Sequence, residues 1–160
     1  MSATLQFNLT DSDPSIGGDT SSNQLPSDEM NNLFDNVSAD EASAGMTDYR
    51  AVDVTNTGDA DASSPVVFLK NGLLGADDSA YSDATLQFGI ESSPVGSTTS
   101  VADESTAPGS VSFSAYDSDT PLSLPDIPTS SYARVWIKRT VSAGANNDAD
   151  VHGTIVADYA

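Results

Sequence analysis

The chain concentrates positive charge around its only tryptophan. Arg134, Trp136 and Lys138 lie in the stretch YARVWIKRTV, although the protein has only five basic residues against 24 acidic ones. In an extended strand these three side chains share one face, and Val135 and Ile137 point to the opposite, core-facing side. Tryptophan and arginine are common anchors at interfaces, so we predict that Arg134, Trp136 and Lys138 form a docking face for an acidic neighbour. The alternative is a solvent-facing sheet in which the two cations cover the indole ring.

Pairs of aspartates separated by one residue are the second pattern with chemical meaning. In a loop, such carboxylates can converge on a hard cation such as Ca²⁺, which prefers about six to eight oxygen ligands. The stretch NNDADVHG (146–153) is the best candidate, because it adds asparagine and histidine to Asp148 and Asp150. The pairs lack the glycine and the bidentate glutamate of a calcium-binding loop, so a solvated turn is the alternative interpretation. No other cofactor is predicted.

Catalytic motifs are not recognisable in the sequence. His152 is the only histidine, and a serine–histidine–aspartate triad would have to use it although it falls within a predicted strand. The sequence has neither a Gly-x-Ser-x-Gly elbow nor a lysine-containing phosphate loop. It also has no cysteine, which excludes disulfides and cysteine-bound metal sites. We therefore expect a protein that is not an enzyme.

Short strand patterns position these residues along most of the chain. Alternating or apolar runs, bounded by Ser, Asp, Gly and Pro, predict seven strands. They cover residues 4–10, 48–56, 64–72, 84–90, 110–116, 133–141 and 151–159. The third of these ends on Asn71-Gly72, a turn signal. The stretch 11–28 is predicted to be a polar loop.

One amphipathic helix is predicted near residues 28–37, where an i, i+3, i+4, i+7 apolar pattern begins at Met30. The Ser-x-x-Glu box in SADE (38–41) predicts a second short turn that ends at Gly45. So little helix cannot supply the crossovers of a parallel sheet. We therefore predict a mainly β fold, a single antiparallel β-sandwich over residues 1–160 that is immunoglobulin-like or jelly-roll-like.

The formal net charge of -19 narrows the range of partners. Such a surface repels nucleic acid. No apolar run approaches the roughly 18 residues of a membrane span, and the start MSATLQFNLTDSDPS lacks the basic and apolar regions of a cleaved signal. We expect neither nucleic acid nor membrane as a partner. The excess of acid and the scarcity of lysine are typical of halophilic proteins, and an ordinary acidic soluble surface is the alternative.

Three stretches lie in an order and spacing that resemble a known family. They are LFDNVSADEASAGMTDYRAVDVTNTGDA (33–60), VADESTAPGSVSFS (101–114) and ARVWIKRTVSAGA (133–145). Together they resemble small β-sandwich virion structural proteins of tailed phages and archaeal tailed viruses. The chain departs from the usual pattern of that family in its acidity and in the tail VHGTIVADYA.

The resemblance implies a structural component of a virus particle, assembled in the host cytoplasm. Its expected partners are a major capsid protein or tail proteins, together with copies of itself. A head decoration or cement protein is the favoured role. A tail or baseplate protein, and a surface- or carbohydrate-binding module of a fibre or adhesin, are the alternatives.

Overall fold

Strands dominate the computed structural model, which describes residues 1–26, 33–75, 77–146, 148 and 151–159. Within these residues there are eight strands and one short helix. In chain order they are β1 (Leu5–Thr10), β2 (Thr20–Gln24), α1 (Ala39–Ala44), β3 (Met46–Asn56), β4 (Val66–Leu74), β5 (Ala84–Gly89), β6 (Leu122–Ser123), β7 (Tyr132–Val141) and β8 (His152–Asp158). The described helix is far too short to cross a membrane.

The strands form two antiparallel sheets that pack together as a β-sandwich, which confirms the predicted fold class. The large sheet has the order β2-β1-β3-β7-β5, and the small sheet has the order β6-β4-β8. At the centre of the large sheet, β3 and β7 pair without interruption from Met46 opposite Val141 to Thr55 opposite Tyr132. This long pair carries the buried charged side chains Asp48, Arg50, Asp53 and Arg134.

The apolar core lies between the two sheets. Val52, Val135 and Phe88 project from the large sheet and Val67 from the small one, and none of the four is exposed to solvent. Burial of each such side chain stabilises the fold by about 1.5–3 kcal/mol. The opposite face of β3 and β7 is also buried, because the loops around residues 15–18 and 91–104 cover it.

The predicted helix near residues 28–37 is wrong over its described part. Residues 33–37 are not helical, and residues 28–32 lie outside the described part of the chain. The second predicted turn is confirmed as helix α1. Ser38 accepts from the Glu41 backbone, the Glu41 carboxylate accepts from the Ser38 backbone, and Gly45 follows the helix at φ 79°.

The predicted strand at 110–116 is reduced to single contacts that link the two sheets. Ser114 exchanges both backbone hydrogen bonds with Phe88 of β5, and the carbonyl of Tyr116 accepts from Leu69 of β4. The segment therefore crosses from one sheet to the other instead of extending either.

The predicted end of the third strand at Asn71-Gly72 is also wrong, because β4 continues through it. Both residues have positive φ angles, 63° and 73°. The register with β8 jumps from Lys70 opposite Thr154 to Leu74 opposite His152. The signal thus marks a bulge and not a hairpin turn.

Candidate functional site

Arg134 is buried on the loop-covered face of the large sheet. Its Nε and Nη2 atoms donate to the two carboxylate oxygens of Asp53 at 2.8 and 2.9 Å. Its Nη1 atom donates to the carbonyls of Gly18 and Thr99. Both charged side chains are 0% exposed and lie opposite each other across β3 and β7. The bidentate geometry gives each buried charge its partner, as an interior ion pair requires.

Trp136 lies on the same face and is also 0% exposed. Its indole Nε1 donates to Glu91 Oε1 at 2.9 Å. The other oxygen of Glu91 accepts from the hydroxyls of Ser97 and Thr99. Glu91 therefore holds the loop that follows β5 over the indole ring.

The predicted docking face is consequently wrong. Arg134 and Trp136 are interior side chains, and Lys138 is half-buried. The solvent-facing alternative fails for the same reason, and the guanidinium of Arg134 lies over the ring of Tyr132, at 5.9 Å from its centroid. A period of two assigns side chains to faces of a strand, but it does not reveal that loops cover the second face.

Arg50 and Arg139 form a second cluster at the other end of the β3–β7 pair. Arg50 Nη2 lies 2.6 Å from Glu104 Oε2, and Arg139 Nη2 lies 2.6 Å from Asp48 Oδ2. Asp35 Oδ1 lies between the two guanidinium groups, at 3.5 and 3.4 Å. We call these five residues the two-arginine cluster.

The two-arginine cluster fastens the segment before α1 to the large sheet. The guanidinium carbons of Arg50 and Arg139 lie 5.2 and 4.6 Å from the centroid of the Phe34 ring. Arg50 also donates to the carbonyl of Leu33, and Arg139 to that of Asp35. Cation–π contacts of this kind contribute about 0.5–2 kcal/mol each. These arginine contacts hold residues 33–35, which are not helical, against the large sheet.

Burial raises the pKa of the Asp48 carboxyl above its ordinary value, although the hydrogen bond and charge of Arg139 act against this shift. A raised pKa means that the folded chain holds the proton more tightly than the unfolded chain. This group alone therefore contributes stability at acidic pH that is lost as the pH rises through the folded pKa. The ion pair with Arg139 limits that loss.

Several exposed aspartates close turns of the chain. Asp117 accepts from the backbones of Asp119 and Thr120, and these hydrogen bonds lower the pKa of its carboxyl. Asp103 accepts from the hydroxyls of Thr106 and Ser105, and these hydrogen bonds lower the pKa of its carboxyl. Asp117 and Asp119, which are separated by one residue, thus form a turn in which the carboxylate of the first accepts from the backbone of the second.

The candidate cation site at Asp148 and Asp150 is only half within the described residues, because Asp150 lies outside them. The Asp148 carboxylate lies against Gly75, where a Cβ atom would collide with it. His152 Nε2 lies 3.4 Å from Asp78 Oδ1. Among the described residues, no group of three or more His, Asp or Glu side chains is arranged to hold a metal ion.

The acidic partners of the arginines were not predicted from the sequence, although a spacing signal for two of them is present. Asp48 and Asp53 are five residues apart, and so are Arg134 and Arg139. In an antiparallel pair, equal spacings let each aspartate face one arginine, and the observed register places Asp48 opposite Arg139 and Asp53 opposite Arg134. Glu104, the partner of Arg50, and Glu91, the partner of Trp136, belong to loops without periodicity, so no such signal marked them.

The contacts of the arginines and of Trp136 hold strands and loops of the chain together. Each of the three arginines is bonded to carboxylates and carbonyls of the same chain, which leaves little of any guanidinium to bind a ligand. Compared with known proteins, the chain matches no family model, no curated protein and no solved structure.

Proposed function

We propose that the chain is a structural component of a tailed-virus particle, and specifically a head decoration protein bound to the capsid shell. The observation that carries this proposal is the position of the three stretches that resemble virion proteins. They are far apart in the sequence, yet they meet in one structural unit.

The unit is built around the start of β3. Stretch 33–60 contains β3, and stretch 133–145 contains all of β7 except Tyr132; the two strands pair from Met46 opposite Val141 to Thr55 opposite Tyr132. Stretch 101–114 joins them through Glu104, whose carbonyl accepts from the Tyr49 backbone at 2.7 Å. The ring of Phe113, in the same stretch, lies 5.5 Å from that of Tyr49. Because the three resembling stretches form one connected framework, they support the proposal that the chain shares the scaffold of the virion proteins it resembles. A particle subunit needs such a scaffold.

The charge distribution supports assembly in strong salt. Arg50, Arg134 and Arg139 are all paired with carboxylates of the same chain, so the charged groups on the surface of this molecule, with its net charge of -19, are mainly carboxylates. Many copies on one shell would repel one another, and salt screens that repulsion over about 3 Å at 1 M. We expect particles to lose this protein on dilution into low salt.

The proposal is tested on purified particles by quantitative mass spectrometry and cryo-electron microscopy. A fixed, high copy number on the icosahedral shell is expected. A few copies confined to one vertex would indicate a tail or baseplate protein and would overturn the decoration role. Its absence from particles would overturn a virion role altogether.

The alternative of a carbohydrate-binding module loses its strongest candidate residue. Such modules stack sugars on exposed aromatic rings, and Trp136 is enclosed beneath the loop that Glu91 anchors. No other feature of the described residues favours that alternative over the structural role.

A further inference from the structure

Strand β8 forms an open edge of the small sheet. It pairs with β4 from Val66 opposite Asp158 to Lys70 opposite Thr154. Within the described part of the chain, β4 is the only strand that pairs with it. By contrast, the β5 edge of the large sheet is covered where Phe88 exchanges backbone hydrogen bonds with Ser114. An edge strand presents a row of unpaired N–H and C=O groups to any strand that approaches.

The sequence of β8 lacks the usual protection of such an edge. Between His152 and Asp158 the strand reads GTIVA, with no charge and no proline. Edge strands are normally protected by lysine, proline or inward-pointing charge. In a chain with a net charge of -19, an uncharged edge is also the place where two copies can approach with least repulsion.

The outer face of the small sheet is self-complementary beside this edge. Ile155 and Ala157 pack against the core, so Thr154, Val156 and Asp158 point outward. Val156 lies opposite Phe68, and both are only half-buried.

Residues of opposite charge flank Phe68 and Val156 on this outer face. The acid Asp158 lies opposite Val66, and the base Lys70 lies opposite Thr154. Lys70 is exposed and makes no ion pair with any described residue. A two-fold axis through Val156 would bring the Lys70 end of each copy towards the Asp158 end of the other.

We propose that two copies of this chain associate through antiparallel pairing of their β8 strands, which joins the two small sheets into one sheet of six strands. The backbone groups of Ile155 and Ala157 face the open edge, because Thr154, Val156 and Asp158 lie opposite the β4 residues whose backbone groups face β8. Antiparallel pairing centred on Val156 therefore forms about four backbone hydrogen bonds across the axis. Phe68 and Val156 of both copies then form one continuous apolar row. Such an edge contact is smaller than a standard interface, so the dimer is expected to depend on protein concentration. The inference concerns the chain alone and does not rest on a virion role.

The test is sedimentation equilibrium of the purified chain over a range of protein concentrations, at the lowest salt concentration at which it remains folded. The wild type should shift reversibly from 16.5 kDa towards twice that mass. The variant Val156→Asp places two like charges across the axis and should weaken dimerisation at least about tenfold. Ser118→Asp, in an exposed loop, changes the net charge equally and should leave dimerisation almost unchanged.

A charge exchange separates specific pairing from general repulsion. Lys70→Glu and Asp158→Lys should each weaken the dimer about two- to fivefold, and the double variant should restore it. Asp158→Lys is the decisive single variant, because it makes the chain less negative. It would therefore strengthen non-specific association, whereas it should weaken the specific dimer.

Three results would overturn the inference. They are a wild type that stays monomeric at about millimolar concentration, a dimer that Val156→Asp leaves intact, and a dimer that Asp158→Lys strengthens. Circular dichroism of each variant establishes that it is folded before its mass is interpreted.

Discussion

The buried pair of Asp53 and Arg134 should be the most costly charged contact to break. The change Asp53→Asn keeps the shape of the side chain but leaves the guanidinium without its counter-charge in a site that is 0% exposed. Removing one partner of such a pair costs about 3–5 kcal/mol. The carbonyls of Gly18 and Thr99, which also accept from Arg134, do not supply the missing charge.

The matched control is Asp35→Asn, which removes a carboxylate of the two-arginine cluster. That side chain is 69% exposed, and its oxygen lies 3.5 and 3.4 Å from the two guanidinium groups. An ion pair of this exposure contributes at most about 1 kcal/mol. The two substitutions change the net charge equally, so general repulsion cancels in the comparison.

Urea denaturation measures both costs, because urea leaves the ionic strength unchanged. Trp136 is the only tryptophan and is fully buried, so its fluorescence reports unfolding directly. With a slope of about 2 kcal/mol per molar urea, Asp53→Asn should lower the midpoint by about 1.5–2.5 M. The loss should persist in strong salt, since salt does not screen a pair that excludes water. A loss no larger than that of Asp35→Asn would refute the assignment of a buried, bidentate pair.

Two further predictions concern the contacts that hold the loops and the helix. Glu91→Ala should lower the free energy of unfolding by about 2–3 kcal/mol, because it leaves the Trp136 N–H unpaired, whereas Glu91→Gln should lower it by less than about 1 kcal/mol because it keeps an acceptor. Urea denaturation and acrylamide quenching of the tryptophan fluorescence distinguish the two variants. Equal losses of stability would contradict the contact between Glu91 and Trp136. The hydrogen bonds of Ser38 lower the pKa of the Glu41 carboxyl, so the stability that this carboxylate contributes is present above its unfolded pKa and is lost as the pH falls through the folded one. An NMR titration should show that Ser38→Ala raises the Glu41 pKa towards its ordinary value, and an unchanged pKa would argue against the capping box.

Elements with their own local signal were predictable from the sequence. The alternating strands at 4–10 and 48–56 appear as β1 and β3, and the stretch at 133–141 appears as β7. The capping box at residues 38–41 appears as the start of α1. In each case the pattern of side chains, or of side chain and backbone, lies within about ten consecutive residues, so distant parts of the chain add little to the outcome.

Elements that depend on a partner were not predictable in this way. The strand β2 reads TSSNQ and has no apolar face; it forms because β1 offers it an edge to pair with. The helical pattern that begins at Met30 was overridden at Leu33 and Phe34, where contacts with two arginines from distant strands hold the chain. Tertiary contacts of this strength outweigh local helix propensity, which amounts to less than about 1 kcal/mol per residue.

The environment of Arg134 and Trp136 was likewise predictable from the sequence only in part. Sequence alone determined that the few cations gather on one strand, and that Arg134 and Trp136 share a face of it. Only the tertiary structure decided that this face is interior, because the loop held by Glu91 covers it and Asp53 meets Arg134 from the neighbouring strand. A buried charge needs its counter-charge within hydrogen-bond distance, and that distance is set by sheet register and loop packing, which the order of residues in one strand does not contain.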